Sequence, residues 1–167
     1  MLIIFGGLPG VGKTEIAREL ARQLKAVYVR IDSIEQAMRG CGAFRWPLKD
    51  AGYRVGYRVA EDNLRLGRVV VADSVNPLRI TRDAWRAVAK RLPVKAVEIE
   101  VKCSNASEHR LRVEERRSDI AGLKLPTWKE VKAREYVRWN RNHIVVDTAV
   151  VTVREGVRMI RSKLKEG

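Results

Sequence analysis

The string Gly7-Leu8-Pro9-Gly10-Val11-Gly12-Lys13-Thr14 constrains the fold of this 167-residue chain more than any other segment. It satisfies G-x-x-x-x-G-K-[ST] in full. The apolar run Leu2 to Phe5 precedes it, and Ile16, Ala17, Leu20, Ala21 and Leu24 follow at helical spacing. A strand, a tight turn and an amphipathic helix must therefore succeed one another. Glycines let backbone N–H groups curl inward as an anion nest, and the helix N-terminus adds its positive end. The chemistry expected is a triphosphate site. Gly7, Leu8, Pro9, Gly10, Val11 and Gly12 wrap the phosphates, Lys13 brings a point charge to the β and γ groups, and the Thr14 hydroxyl ligates Mg²⁺. A chance glycine-rich turn is the alternative, against which pattern, position and context agree.

The rest of the chain alternates in the same way. Ala26 to Ile31, Val69 to Ala72, Val94 to Val101 and Ile144 to Val146 read as strands. Helical stripes lie between them, over Asp50 to Leu66 (stopped by Gly67) and through Ala84, Trp85, Val88, Ala89 and Leu92. Ser33 with Glu35 and Gln36 predicts a helix start, as do the pairs Asn105/Glu108, Thr127/Glu130 and Thr152/Glu155. The second and third of these helices should run to about Arg117 and about Asn140. Strands alternating with helices imply βαβ units, hence a parallel sheet covered on both faces. The fold class expected is α/β, with five parallel strands. Residues 104–141 hold two helices and no strand, an insertion of the kind that serves as a lid.

Length, with 46% hydrophobic residues, favours one domain over residues 1–167. No run reaches the roughly 18 apolar residues of a membrane span, and Met1 to Phe5 are too short and uncharged for a signal peptide. Cys41 and Cys103 make no disulfide framework and lack metal-ligand spacing, so buried thiols are expected. His109 and His143 stand apart from other ligands and receive no role. A cytoplasmic protein with no membrane association and no obligate protein partner is the expectation. The net charge of +14 calls for an anionic partner without naming it.

The run Val69 to Ala72 ends in Asp73-Ser74-Val75-Asn76, with no second acid to activate water, and no Asn-Lys-x-Asp string occurs. Motor ATPases and GTPases are thereby disfavoured. Asp73 is expected to contact Mg²⁺ or its water at the sheet's C-terminal edge; a cap or turn role is the alternative. Asp32 closes the second strand. A carboxylate there can take the proton of an attacking hydroxyl, and it can also cap the helix beginning near Ser33.

Gly7 to Leu24, Arg30-Ile31-Asp32 and Val71-Ala72-Asp73-Ser74-Val75-Asn76-Pro77 together resemble the small P-loop kinases. The likeness is to the predicted-kinase group labelled "AAA family ATPase", related to polynucleotide 5′-kinase and chloramphenicol phosphotransferase. It extends through Asp119 to Trp128 and on to Asp147-Thr148-Ala149. The resemblance implies the P-loop NTPase fold, a mobile arginine-bearing lid and transfer of the ATP γ-phosphoryl to a hydroxyl. It matches Asp32 to the hydroxyl-activating aspartate and sets Asp147, Thr148 and Ala149 beside the adenine.

Arg112 and Arg116 are spaced i, i+4, so they should share a helix face and close over the transferring phosphoryl, with Arg110 and Arg117 flanking them. Glu108, Glu114 and Glu115 leave an ordinary salt-bridged surface as the alternative. For the acceptor, the expected lining is Met38, Arg39, Phe44-Arg45-Trp46-Pro47, Tyr53, Arg54, Tyr57 and Arg58; a helix half in the core with solvated arginines remains the other reading. Trp128, Lys129, Lys132, Arg134, Tyr136, Arg138, Trp139 and Arg141 interleave aromatics with bases. A surface helix docked by its tryptophans is favoured there over a nucleic-acid surface. The chain thus reads as an ATP- and Mg²⁺-dependent kinase of a small-molecule or nucleoside-like hydroxyl acceptor. A 5′-hydroxyl polynucleotide kinase, or a nucleotide-dependent switch with little catalysis, is the alternative.

Overall fold

The computed structural model of the protein describes residues 1–42 and 48–166. Strands β1 (Leu2–Gly6), β2 (Val27–Arg30), β3 (Val70–Asp73), β4 (Ala96–Lys102) and β5 (Ile144–Asp147) form one parallel sheet in the order β2-β3-β1-β4-β5. Helices α1 (Lys13–Leu24), α2 (Ile31–Gly40), α3 (Ala51–Arg65), α4 (Arg79–Arg91), α5 (Ala106–Glu115), α6 (Trp128–Ala133) and α7 (Val153–Lys165) connect and flank the strands. The five-stranded parallel α/β sheet is the one expected.

Strand parity builds two cores. On β1, Ile3 and Phe5 join Ile16, Leu20, Val157 and Ile160 of α1 and α7, whereas Leu2 and Ile4 join Ala60, Leu64, Trp85 and Val88 of α3 and α4. All four β1 side chains are fully buried, each removal from water contributing about 1.5–3 kcal/mol. Because the strands are parallel, all five C-terminal ends open on one edge. The connections β1-α1-β2 and β3-α4-β4 leave in opposite directions, so the ends of β1 and β3 flank a topological switch point, where α/β sheets bind ligands.

The capping boxes at Thr127/Glu130 and Thr152/Glu155 are complete. Asn105 accepts from the Glu108 N–H at 3.1 Å, but the Glu108 carboxylate turns to Arg112 instead of closing the box. Thr152→Ala should cost about 1 kcal/mol, read as a lower urea midpoint at unchanged slope. Ser33 starts no helix, because α2 already begins at Ile31. Asp32 therefore sits inside the first turn and is not its cap.

The expected helix to Asn140 ends at Ala133. From Arg134 the chain runs extended, its backbone bonds satisfied by the body rather than by a helix. The Val137 N–H donates to Pro77 O (2.8 Å), and Arg82 Nη1 donates to Val137 O (2.9 Å). Trp139 docks against Gly6, with the buried Arg82 guanidinium 4.8 Å from its ring centre. Tryptophan docking thus holds, without the helix.

Both cysteines depart from expectation. Cys41 is exposed just past α2, and Cys103 is only half-buried. Among the described residues, no helix is long and apolar enough to cross a membrane.

Candidate active site

The sheet's C-terminal edge carries a cleft of about 1010 Å³. Gly10 and Gly12 of the loop after β1 adopt left-handed backbone, φ 86° and 83°, which side chains resist. A side chain on Gly10 would also strike Val113 of α5. Gly12 then caps α1, so Lys13 and Thr14 open the helix facing the cleft. Leu8, Pro9, Gly10 and Gly12 line it with them. Gly7 and Val11 lie behind the loop, where the Gly7 N–H donates to Val75 O at 3.0 Å.

Asp73, at the end of β3, is fully enclosed next to that loop. Its Oδ1 accepts from Lys13 Nζ at 2.7 Å and its Oδ2 from the Tyr28 hydroxyl at 2.7 Å, and the nearby Thr14 hydroxyl also favours its charged form. Burial raises its pKa, but the Lys13 charge and these donors outweigh burial and hold the carboxyl below the ordinary aspartate range. Burial pushes the Tyr28 phenol up, with the Asp73 charge adding to it. Tyr28 went unassigned in the sequence, although parity shows it: two residues before the end of β2, it shares a sheet face with Arg30. The Thr14 hydroxyl and Asp73 carboxylate are hard oxygens side by side, a donor set suited to Mg²⁺.

Asp32 and Arg39, on α2, line the cleft together with Glu35 and Gln36. Burial raises the Glu35 carboxyl, opposed by Arg39, which donates to it at 3.0 Å. Tyr57 and Arg58 do not line the cleft. The Tyr57 ring packs edge-on against Trp85 and its hydroxyl donates to Thr81 O (3.3 Å), while Arg58 projects outward near Glu61. Their helix, α3, turns this face to α4 and to solvent. Tyr53 is likewise a core group, its oxygen accepting from the Asn76 N–H at 3.2 Å, and Arg54 is exposed. Phe44, Arg45, Trp46 and Pro47 lie outside the described residues.

Arg112 and Arg116 both line the cleft but do not act as a pair. Arg112 donates to Thr148 Oγ1 (2.7 Å) and Thr148 O (3.0 Å), and it binds Glu108. Arg116 is the C-cap of α5: its N–H still donates to Arg112 O at 3.2 Å, and at ψ 145° the chain beyond it leaves the helix. It is half-buried near Asp32. Burial lowers its pKa, Asp32 raises it, and the charges of Arg30 and Arg134 lower it further.

Thr148 joins three elements, since its hydroxyl also lies 2.9 Å from Val11 O and 3.2 Å from Lys102 O. Asp147 and Ala149 stay outside the cleft. The Asp147 carboxylate is spent on backbone, accepting from the N–H groups of Ala149 in its own turn (3.1 Å) and of Ser104 just past β4 (3.0 Å).

Further contacts tie the 104–141 segment down. Asp119 takes Arg30 Nη1 on both oxygens at 2.9 Å and also binds Arg18. The buried His109 places Nε2 2.8 Å from Pro9 O, with Trp128 edge-on to its ring at 5.0 Å. No local pattern marks these as partners, because they meet across about 90 to 100 residues of chain.

No curated protein matches the sequence significantly. Among solved structures, Kti12 from Chaetomium thermophilum in complex with ADP-AlF3 is similar at a TM-score of 0.75 and 19% identity, over 99% of this chain and 98% of that one. The APS kinase CysC of Mycobacterium tuberculosis, in complex with AMPPNP and APS, is similar at 0.72 and 18% identity, over 98% and 96%. A gluconokinase from Sinorhizobium meliloti is similar at 0.61 and 18% identity, over 98% and 94%. These likenesses show a shared fold, that of the P-loop kinases. Residues 2–134 match the AAA_33 family, described as an AAA domain, and the chain belongs to that family.

Proposed function

We propose that the protein transfers the γ-phosphoryl of ATP to a hydroxyl of a small-molecule or nucleoside-like acceptor. The observation that carries this reading is the sharing of one cleft by Lys13, Thr14, Asp32 and Arg116. The solved kinases of the same fold support it, as does the motif likeness to polynucleotide 5′-kinase and chloramphenicol phosphotransferase.

The phosphates occupy the loop from Leu8 to Gly12, and Lys13 exchanges Asp73 for them. That exchange leaves Asp73 Oδ1 available beside Thr14, the two residues that would hold Mg²⁺. The metal, when bound, neutralises charge on the β and γ phosphates. The acceptor oxygen attacks the γ-phosphorus while Asp32 takes the hydroxyl proton. The bond from γ-phosphorus to the β–γ bridging oxygen breaks, and ADP leaves with that electron pair. Arg116 faces the charge spreading over the transferring group, while Arg112 with Thr148 shapes the nucleotide end. The segment 104–141 acts as the lid of one catalytic domain spanning residues 1–167.

Acceptor-stimulated ADP release across nucleosides, sugars and antibiotics tests the reading. A hydroxyl compound should raise turnover and appear phosphorylated by mass. Turnover flat across the whole panel would instead mark a nucleotide-dependent switch. Arg116→Ala should lower turnover about 10²–10³-fold with ATP affinity little changed. Unchanged turnover removes Arg116 from the mechanism.

A further inference from the structure

Half of the basic side chains that line the cleft are already spent. Lys13 holds Asp73, Arg30 holds Asp119, Arg39 holds Glu35, and Arg112 holds Glu108 and Thr148. Arg116, Arg117, Lys124 and Arg134 differ, and of these Arg116 and Arg134 lie near enough for the charge of one to act on the other. Among the described residues, none of the four has a carboxylate within ion-pair distance. Residues 43–47 contain no acidic side chain that could supply one.

The sequence explains this isolation. Arg116 and Arg134 are the C-caps of α5 and α6. Four residues before Arg116 stands Arg112 rather than a carboxylate, and Glu130, four before Arg134, closes the capping box on Thr127. Both side chains line the cleft instead. The Nε–H of Arg116 is enclosed with no hydrogen-bond partner. A partly desolvated guanidinium beside like charges is unfavourable until an anion arrives.

We infer that the acceptor is itself anionic, carrying besides its hydroxyl a phosphate group that Arg134 binds at the α2 end of the cleft, with Arg116 shared between that phosphate and the transferring phosphoryl. This names the substrate class of the site and rests on the kinase reading. Position separates this anion from the nucleotide. The charge of Arg134 acts on Glu35 and on Arg116, and Glu35 lies about one helical turn beyond Asp32. Gly122 abuts Gln36, closing that end of the cleft over α2. The triphosphate, by contrast, is cradled by the loop and Lys13. Guanidiniums present planar forks of donors that match phosphate oxygens in pairs, which a single ammonium does not. The acceptor contacts expected of Arg54 and Arg58 thus fall to the other wall.

The experiment fills the nucleotide site with Mg²⁺ and a non-hydrolysable ATP analogue, then titrates inorganic phosphate while following arginine Nε–H signals by NMR. The signals of Arg116 and Arg134 should move together and saturate, and Arg134→Gln should weaken the fitted affinity at least tenfold. Shifts that never saturate, that spread over surface arginines, or that survive Arg134→Gln overturn the inference. ADP release is then compared for matched acceptors: ribose against ribose 5-phosphate, and adenosine against adenosine 3′-monophosphate. A preference for the phosphorylated partner, reduced in Arg134→Gln through a higher KM at similar kcat, supports it. Neutral compounds phosphorylated equally well overturn it and leave the kinase reading intact. Saturable phosphate binding without transfer to any acceptor sinks the kinase reading and leaves the anion site standing.

Discussion

Asp32→Asn is expected to lower phosphoryl transfer by about 10²–10⁴-fold, the contribution of a positioned general base. ATP affinity should stay within a few-fold, because Lys13, Thr14 and the loop are untouched. The substitution is nearly isosteric, and Asp32 is part-exposed in the first turn of α2, so the fold should tolerate it. Asparagine keeps the hydrogen-bonding shape but cannot accept the proton. Single-turnover transfer and equilibrium ATP binding, measured on the same preparation, separate the two effects. Normal transfer by this variant would defeat the mechanism whichever acceptor is used.

Lys13→Met should produce the largest loss of stability, for an electrostatic reason. In the intact protein the side chains of Asp73 and Lys13 are only 1% and 8% exposed and pair at 2.7 Å. Removing one partner of such a pair costs about 3–5 kcal/mol, because the other charge stays buried. The sign of the pH dependence follows. Native Asp73 has a depressed pKa, so its contribution is present above the unfolded aspartate pKa and lost as pH falls through the folded one. Without Lys13, burial dominates and raises the carboxyl above its unfolded value. The deficit of the variant should therefore be greatest at neutral pH and shrink as pH falls through the raised carboxyl pKa and on through the usual carboxylate range. Urea denaturation at pH 7 and pH 4, without nucleotide, measures this. Adding Asp73→Asn to Lys13→Met should recover much of the loss, whereas a pH-independent deficit would deny the buried-charge account.

The sheet was legible because each strand carries its own signal. Apolar runs of four to seven residues alternate with helical stripes, and only a parallel sheet accommodates that alternation. The loop from Gly7 to Thr14 was legible because anion binding by backbone needs glycine at fixed offsets. What failed were inferences that continued a local period into regions where tertiary contacts take over. Periodicity carried a helix on to Asn140, but Pro77 and Arg82 capture Val137 and end it. Spacing paired Arg112 with Arg116, but Thr148 and Glu108 capture Arg112 while Arg116 lies near Asp32. Tyr57 and Arg58 looked like a binding face because helical spacing does not say which side of α3 meets α4. The contacts of Tyr28, His109 and Asp119 were not legible because their partners lie about 45 to 100 residues away.

The contact between His109 and Pro9 has a thermodynamic corollary. The phosphate loop and α5 share this hydrogen bond, and Val113 fills the space that a Gly10 side chain would need. Neither part can change shape without disturbing the other, so their free energies are linked. Whatever stiffens the loop also narrows the ensemble open to α5, and loosening α5 weakens the loop's grip by the same factor. α5 thereby links the loop end of the cleft to Arg116, its C-cap.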